Sequence, residues 1–428
     1  MKILHITAHL GGGVGKALSG LVEQAKLIYP NTEHIIACLE KQEKRHIINE
    51  IQQFNIKVIE CPTIDELRNL MKKSDIVQLE YWNHPILFRY LCEMEWEIPS
   101  IRLITWSYNN GLYNPIIPEN LIINSYKFIF TSECSYQNSN ILDLINKKDL
   151  NKKFDVIYCV GNLPNENINN YKELSFGYVG TLNFSKLHPN FADYINSVKI
   201  SNFKVDMIGD ILNKDILEKQ TNKLNFKGFI PNIINELKNI NVLIYLLNPY
   251  HYGTTENILL ESMSIGIIPI VLNNPCEACI VTNNKTGFIV NSISEFSDII
   301  NYINKNPNIR KIIGNNASEY IKEKYNIKNT EDKFNKIYNE IMLKEKTIID
   351  FKSIFGDTPD KWFLSCQNNK EIFNKKNGTI NLNNIDKYYK YSLFEQTKGS
   401  IFHFSNTFPD NGKLKTWANN MKFVKENK

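Results

Sequence analysis

No apolar run in this 428-residue chain approaches the ~20 residues of a membrane-spanning helix. The amino terminus, MKILHITAHL, has no signal-peptide pattern and reads directly as a strand. The eight cysteines lack framework spacing and sit mostly in apolar surroundings, as at Cys38, Cys134 and Cys159, which predicts a reduced, cytoplasmic protein. Cys276 and Cys279 form one CxxC, but no second pair or histidines at ligand spacing follow, so no metal centre or cofactor is expected. The usual phosphate loops are missing too. A dinucleotide fingerprint needs a third glycine where Lys16 stands, and a P-loop needs glycine at Leu10 and a hydroxyl at Ala17. No carboxylate pair reads as that of a glycosidase.

What is present is enough apolar content, 43%, for full cores, in a length that fits two ordinary domains and something extra. The net charge of +5 lies entirely in the tail: from Ile349 onward there are 13 Lys against 8 Asp and Glu, and the preceding residues balance at 37 against 37. A mild basic excess of this kind is more often a solvated face than a binding patch, so nucleic acid is not an expected partner.

Strands and helices alternate along the chain. Strands are expected at Lys2–Thr7, Glu33–Leu39, Lys57–Glu60, Ile76–Leu79, Ile101–Trp106, Phe128–Thr131 and Val156–Val160, with a helix over Val14–Ile28. The Asn-rich run from Gly161 to Tyr171 reads as a linker. A second series follows at Ser175–Val179, Phe203–Ile208, Asn225–Lys227, Val242–Leu247, Ile267–Leu272 and Gly287–Val290, and helices fill Ser294–Leu343. Such repetition predicts α/β architecture with two doubly wound parallel sheets.

The most informative stretch is His251–Val271, HYGTTENILLESMSIGIIPIV. It follows an apolar strand, so its turn should lie at the ligand-binding carboxyl end of a sheet. Thr254, Thr255 and Glu256 are placed to cap a helix that carries Ile258, Leu259, Met263 and Ile265 at helical spacing. The amides of that helix start make an anion site. Glu261, on an otherwise largely apolar helix, needs a polar partner, and a polyhydroxyl ligand would serve.

This stretch resembles the signature of retaining GT-B glycosyltransferases, the large nucleotide-sugar-dependent group known as glycosyl transferases group 1 or family 4-like. Glu261, Ser262, Met263, Ser264, Gly266, Pro269 and Val271 match it in order, with serine for each alanine. The resemblance covers roughly the first four fifths of the chain. It implies an acceptor-side Rossmann-like domain over 1–165, a nucleotide-sugar domain over 166–328, a crossover helix over 329–348 and an extension of unassigned role over 349–428.

It further implies transfer of a sugar from a UDP-, GDP- or ADP-sugar to a hydroxyl of a glycan, glycolipid or protein, with retention and without metal. Bacterial surface polysaccharide synthesis is the expected setting, with peripheral contact at the cytoplasmic face of the inner membrane left open. The glycine loop Gly11, Gly12, Gly13 would lie under the donor phosphates. Gly180, Thr181 and Lys186 would line the leaving diphosphate, Gly209 would approach the base, and Thr255, Asn257, Ile258 and Glu261 would complete the donor site.

Three positions depart from the family pattern. Thr181 replaces an expected arginine, Gly253 replaces the first carboxylate, for which Glu256 is the nearest substitute, and Tyr108 stands where a sugar-facing histidine is usual. His84 and His9 are further candidates for that histidine's place. The catalytic set implied is therefore Lys186, Glu256, His84 and Tyr108. These departures keep two alternatives open: a catalytically silent subunit, and a sugar-nucleotide epimerase on the same fold.

The tail is rich in aromatics, including Trp362, Phe363, Phe404 and Trp417, and should form an ordered unit. Alternation around His403 predicts a strand, then a turn at Pro409–Gly412 and a short helix. Packing on the body is the plain expectation for this unit, and acceptor or membrane docking the sharper one.

Overall fold

The computed structural model describes residues 1–42, 45–94, 97–147, 150–164, 173–210, 212–231, 233–374 and 376–426. The linker expectation from 165 onward, with the 165/166 boundary, lies outside these residues.

The first lobe is a seven-stranded parallel sheet. In spatial order its strands are Lys57–Glu60, Glu33–Cys38, Lys2–Thr7, Ile76–Tyr81, Leu103–Ser107, Lys127–Phe130 and Phe154–Val156. The second lobe repeats the pattern with six: Leu224–Gly228, Val205–Ile208, Phe176–Val179, Val242–Tyr245, Ile268–Leu272 and Phe288–Val290. The inner strands are buried along almost their whole length, as strands covered by helices on both faces must be. In each sheet the order reverses beside its first strand, and loops leaving the carboxyl ends there frame a crevice.

The expected strand Ile101–Trp106 is two pieces. Arg102 interrupts it, donating to the carbonyls of Lys344 and Asp75, and the short Ser100–Ile101 piece pairs antiparallel with Thr347–Ile348. The chain thus returns to the first lobe after the Ile327–Met342 helix, whose Phe334, Ile337, Tyr338 and Ile341 join Ile3 and Trp106 in one core.

The extension does not stand apart. Trp362, Phe363, Phe404 and Trp417 share a core with Leu79, Tyr81, Leu87 and Phe88 of the first lobe, packing over the Pro85–Cys92 helix. The strand expected around His403 is instead a helix, Ile401–Thr407, capped by the Ser400 hydroxyl at His403 N. Four alternating residues satisfy either period, and packing of Ile401, Phe402 and Phe404 decides for helix. The following turn and the Gly412–Glu426 helix agree with expectation. No helix among the described residues is long and apolar enough to cross a membrane.

Candidate functional site

The Asn257–Ser264 helix begins at the interface between the lobes. Its N-cap is Glu256, in extended conformation and without a side-chain cap, so Thr254 and Thr255 are not the capping residues the sequence suggests. Their hydroxyls reach the other lobe. Thr131 Oγ1 donates to Thr254 Oγ1 at 2.7 Å, and Thr255 Oγ1 donates to the Thr131 carbonyl and accepts from Cys159 N at 3.3 Å. Asn110 Nδ2 donates to the carbonyls of His251 and Gly253 at 3.0 and 2.9 Å, and Asn110 N donates to the Tyr252 carbonyl. Cys276 Sγ lies 2.9 Å from Cys134 Sγ of the first lobe and 3.0 Å from the Gly253 carbonyl. The 251–255 strip is therefore held from both sides.

Glu256 is the electrostatic centre of the strip. Its carboxylate takes Tyr245 Oη at 2.6 Å and Lys186 Nζ at 3.0 Å, with His251 Nδ1 at 3.8 Å. Burial opposes the charge, but Lys186, His251 and the Tyr245 hydroxyl outweigh it and hold the Glu256 carboxyl below its ordinary range. Lys186 answers in kind: burial lowers it, Glu256 raises it by more, and the net direction is up. Its side chain keeps 31% exposure, so the ammonium still faces the crevice. His251 is also raised: burial works against the charged ring, and Glu277, with Nε2 at 3.0 Å from its carboxylate, overcomes it.

Gly253 explains how Glu256 reaches this place. A Cβ at residue 253 would lie 1.9 Å from Glu256 Oε1. The glycine leaves the volume in which the neighbouring carboxylate sits, so the acid expected at 253 is replaced in space by one from 256.

Glu261 is 6% exposed and meets Lys16 Nζ of the first lobe at 2.5 Å. In this structure a cation from the opposite lobe satisfies it. The glycine loop faces the same interface: Gly12 has φ +62 with open space around it, and a Cβ on Gly13 would come 3.1 Å from Asn257 Nδ2. Gly209, with φ +147, passes so close to Gly180 that a Cβ would sit 1.9 Å from the Gly180 carbonyl oxygen. What Gly209 permits in this structure is contact between two loops at the crevice floor. Thr181 accepts Tyr178 Oη on its backbone oxygen at 2.9 Å, and Ile258 packs on the second-lobe core.

The first-lobe candidates lie deeper. Tyr108, expected to face the sugar, spends its hydroxyl on Glu80 Oε2 at 2.9 Å inside the lobe. Burial pushes the Glu80 carboxyl up to about 8 and the neighbouring His5 down to about 3. His84 is fully buried as the N-cap of the Pro85–Cys92 helix. With Glu40 and His403 it forms a group whose ligand atoms lie within 4.8 Å of one another.

The imidazoles of that group do not suit a metal. Nδ1 of His84 accepts from Ile86 N at 3.3 Å and Nδ1 of His403 from Gly399 N at 2.9 Å, so each neutral ring carries its proton on Nε2. A metal on Nε2 would need that nitrogen bare and the other protonated. His84 Nε2 instead points at Glu40 Oε1, 3.3 Å away. His9 Nδ1 likewise accepts from Gly11 N at 3.0 Å. The site residues that sequence reasoning missed are Lys16, Asn110, Tyr245 and Glu277. Lys16, Asn110 and Glu277 act across long sequence separations, Tyr245 across 11 residues, and no motif marks any of them.

Residues 160–320 match the sequence model of a family described as glycosyl transferases group 1. Among curated proteins, none matches this chain in sequence. Several solved structures share the fold. A glycosyltransferase from Rickettsia africae aligns at 17% identity and TM-score 0.59, over 80% of this chain and 99% of its own. Anabaena HepE in complex with UDP-glucose aligns at 14% and 0.61, over 79% and 100%. S. aureus TarM, as a variant in complex with fondaparinux, alpha-GlcNAc-glycerol and UDP, aligns at 12% and 0.61, over 79% and 99%. Each is covered almost completely by four fifths of this chain, and the extension, 80 residues of 428, is a share of the same size as the remainder.

Proposed function

We propose that this chain, whose residues 160–320 match the glycosyl transferases group 1 model and whose two lobes have the GT-B fold, is a retaining, metal-independent glycosyltransferase. It moves a hexosyl or related sugar from a nucleoside diphosphate to a hydroxyl of a glycan, glycolipid or protein acceptor. The observation that supports it is the half-buried Lys186 paired with the buried Glu256 at the amino end of the Asn257–Ser264 helix, in the mouth between the lobes.

In this reading the leaving diphosphate takes the helix amides and the Lys186 ammonium, which together stabilise the charge that builds as the glycosidic bond breaks. Glu256, relieved of Lys186, accepts hydroxyls of the transferred sugar, and Glu261 accepts those of the ribose when Lys16 yields. UDP is the first donor base to try, because HepE is described with UDP and UDP-glucose. The work is assigned to the cytoplasm, and to the cytoplasmic membrane face if the acceptor is a glycolipid.

The test is a thermal-shift series with UDP, GDP, ADP and CMP, followed by slow hydrolysis of the matching nucleotide sugars. Preferential stabilisation by one diphosphate, with hydrolysis lost in Lys186→Ala, supports the assignment. A shift without hydrolysis of any donor favours the catalytically silent subunit, a reading that draws on Thr181 and on Lys16 already neutralising Glu261. Reversible change of the sugar without transfer would identify an epimerase.

A further inference from the structure

A solvent-open cavity, about 600 Å³ when the space of its open mouth is counted in, lies where both lobes meet the extension. The first lobe contributes Asn83 and Asn114, the second Tyr250 and Tyr252, and the extension Tyr389 and Lys398. Ser185 also lines it, one residue from Lys186, so the cavity opens beside the donor site.

The lining chemistry is selective. Tyr250 and Tyr389 both line the space and pack on each other with ring centroids 5.3 Å apart; Tyr250 is the more exposed, Tyr389 keeping 8%, and together they put aromatic surface with a polar tip, of the kind on which a pyranose ring packs, at its wall. Asn114 Nδ2 donates to Gln367 Oε1 at 2.8 Å, fixing one amide of the first lobe to one of the extension. Ser392 Oγ is buried on the wall with no hydrogen-bond partner, a polar atom awaiting one. Lys398 is the one charged residue among the described residues that line the space, and its ammonium is held only loosely, 4.0 Å from Glu40 Oε2.

Behind Lys398 lie His9, His84 and His403. Burial keeps these rings neutral, at about 4, 2 and 4, and each is fixed as an Nε2 proton donor by a backbone N–H on Nδ1. These rings therefore add no negative charge beside Lys398, where the neighbouring acid is Glu40.

We propose that this cavity is the acceptor subsite, and that it takes a saccharide bearing an anionic group, carboxylate or phosphate, with its ring on Tyr250 and Tyr389 and its charge on Lys398. The proposal rests on the glycosyl-transfer reading for the word acceptor. The extension then completes the active-site mouth and sets which acceptor is used.

Binding to the full chain is measured calorimetrically, without donor, for three probes: maltotriose, trigalacturonate and maltotriose with a terminal 6-phosphate. One anionic probe is expected to bind at least about tenfold more tightly than maltotriose, the scale of one charge-assisted contact. Which anionic probe wins distinguishes carboxylate from phosphate. Lys398→Gln should erase the preference with the thermal midpoint and nucleotide shift unchanged, and Tyr250→Ala should weaken all three probes alike. Equal binding of all probes, binding of none, or a preference that survives Lys398→Gln overturns the proposal. Nucleotide-sugar hydrolysis, run in parallel, reports the transferase reading separately. If hydrolysis is absent while the Lys398-dependent preference persists, the transferase reading fails and the anionic saccharide site stands.

Discussion

The His251–Ser264 strip and the extension are both well buried, but by opposite means. The strip buries His251, Thr254, Thr255, Glu256 and Glu261, and the first lobe or the second-lobe interior pairs each of them. The extension buries Trp362, Phe363, Phe404 and Trp417, the last three packing ring on ring with one another, Phe404 also meeting Phe88 of the first lobe. A polar interior tolerates no missing partner, because the group left behind keeps its desolvation cost. An aromatic interior has few partners to lose and responds chiefly to volume. Damage to the strip should therefore be read in chemistry, and damage to the aromatic core of the extension in stability.

The largest expected effect tests the second half of that contrast. Trp417→Ala removes a fully buried indole and its bond to the Asn374 carbonyl, and should cost about 3–5 kcal/mol in denaturant unfolding. Nucleotide-induced stabilisation should persist wherever the variant is folded; its loss would mean that the two regions are not separable. Next, Lys186→Ala should lower transfer or donor hydrolysis by roughly 10²–10³-fold, as removal of one stabilising donor from a developing anion does elsewhere. Unchanged turnover would break the claim that the strip is where chemistry resides.

Gly253→Ala is a sharper probe because it changes only one methyl group. Its Cβ would fall 1.9 Å from Glu256 Oε1 and 3.1 Å from His251 Nδ1, so the carboxylate must leave Lys186. A cost of about 1–3 kcal/mol is expected, read as weaker nucleotide protection in thermal shift; full protection would show the displaced carboxylate to be irrelevant.

A pH-dependent test carries the comparison into the first lobe. Folded Glu80 keeps its proton up to about pH 8, whereas the unfolded carboxyl ionises near 4.5. Stability should therefore decline as pH rises between those values, and Glu80→Gln should gain on the native protein between pH 5 and pH 8. An offset in thermal midpoint that is the same at both pH values would contradict this.

The sequence carried the fold because both sheets are built from short, almost wholly apolar runs separated by helices, a pattern with few alternative arrangements. The Glu261 helix was legible for the same reason, its glycine, proline and carboxylate agreeing with one phase. Lys186 and Glu256 were separately visible as site residues, but their pairing was not. It depends on a side chain at 256 filling the space that Gly253 leaves, which no spacing rule encodes. Tyr108 misled because the strand end where it sits does border the crevice, while its hydroxyl turns inward to a buried carboxyl 28 residues earlier. The extension was readable as ordered and aromatic, yet its merger with the first-lobe core was not, since aromatic content says nothing about what the rings face.

The hold of Asn110 on the backbone carbonyls of residues 251, 252 and 253 has one more consequence. Any hinge-like parting of the lobes must either tear those bonds or drag the strip along, and Glu256 with it. Opening of the crevice and the shape of the strip are thereby coupled, through Asn110 together with the Thr131, Cys159 and Lys16 contacts, so a ligand that reshapes the strip also changes how readily the jaws open.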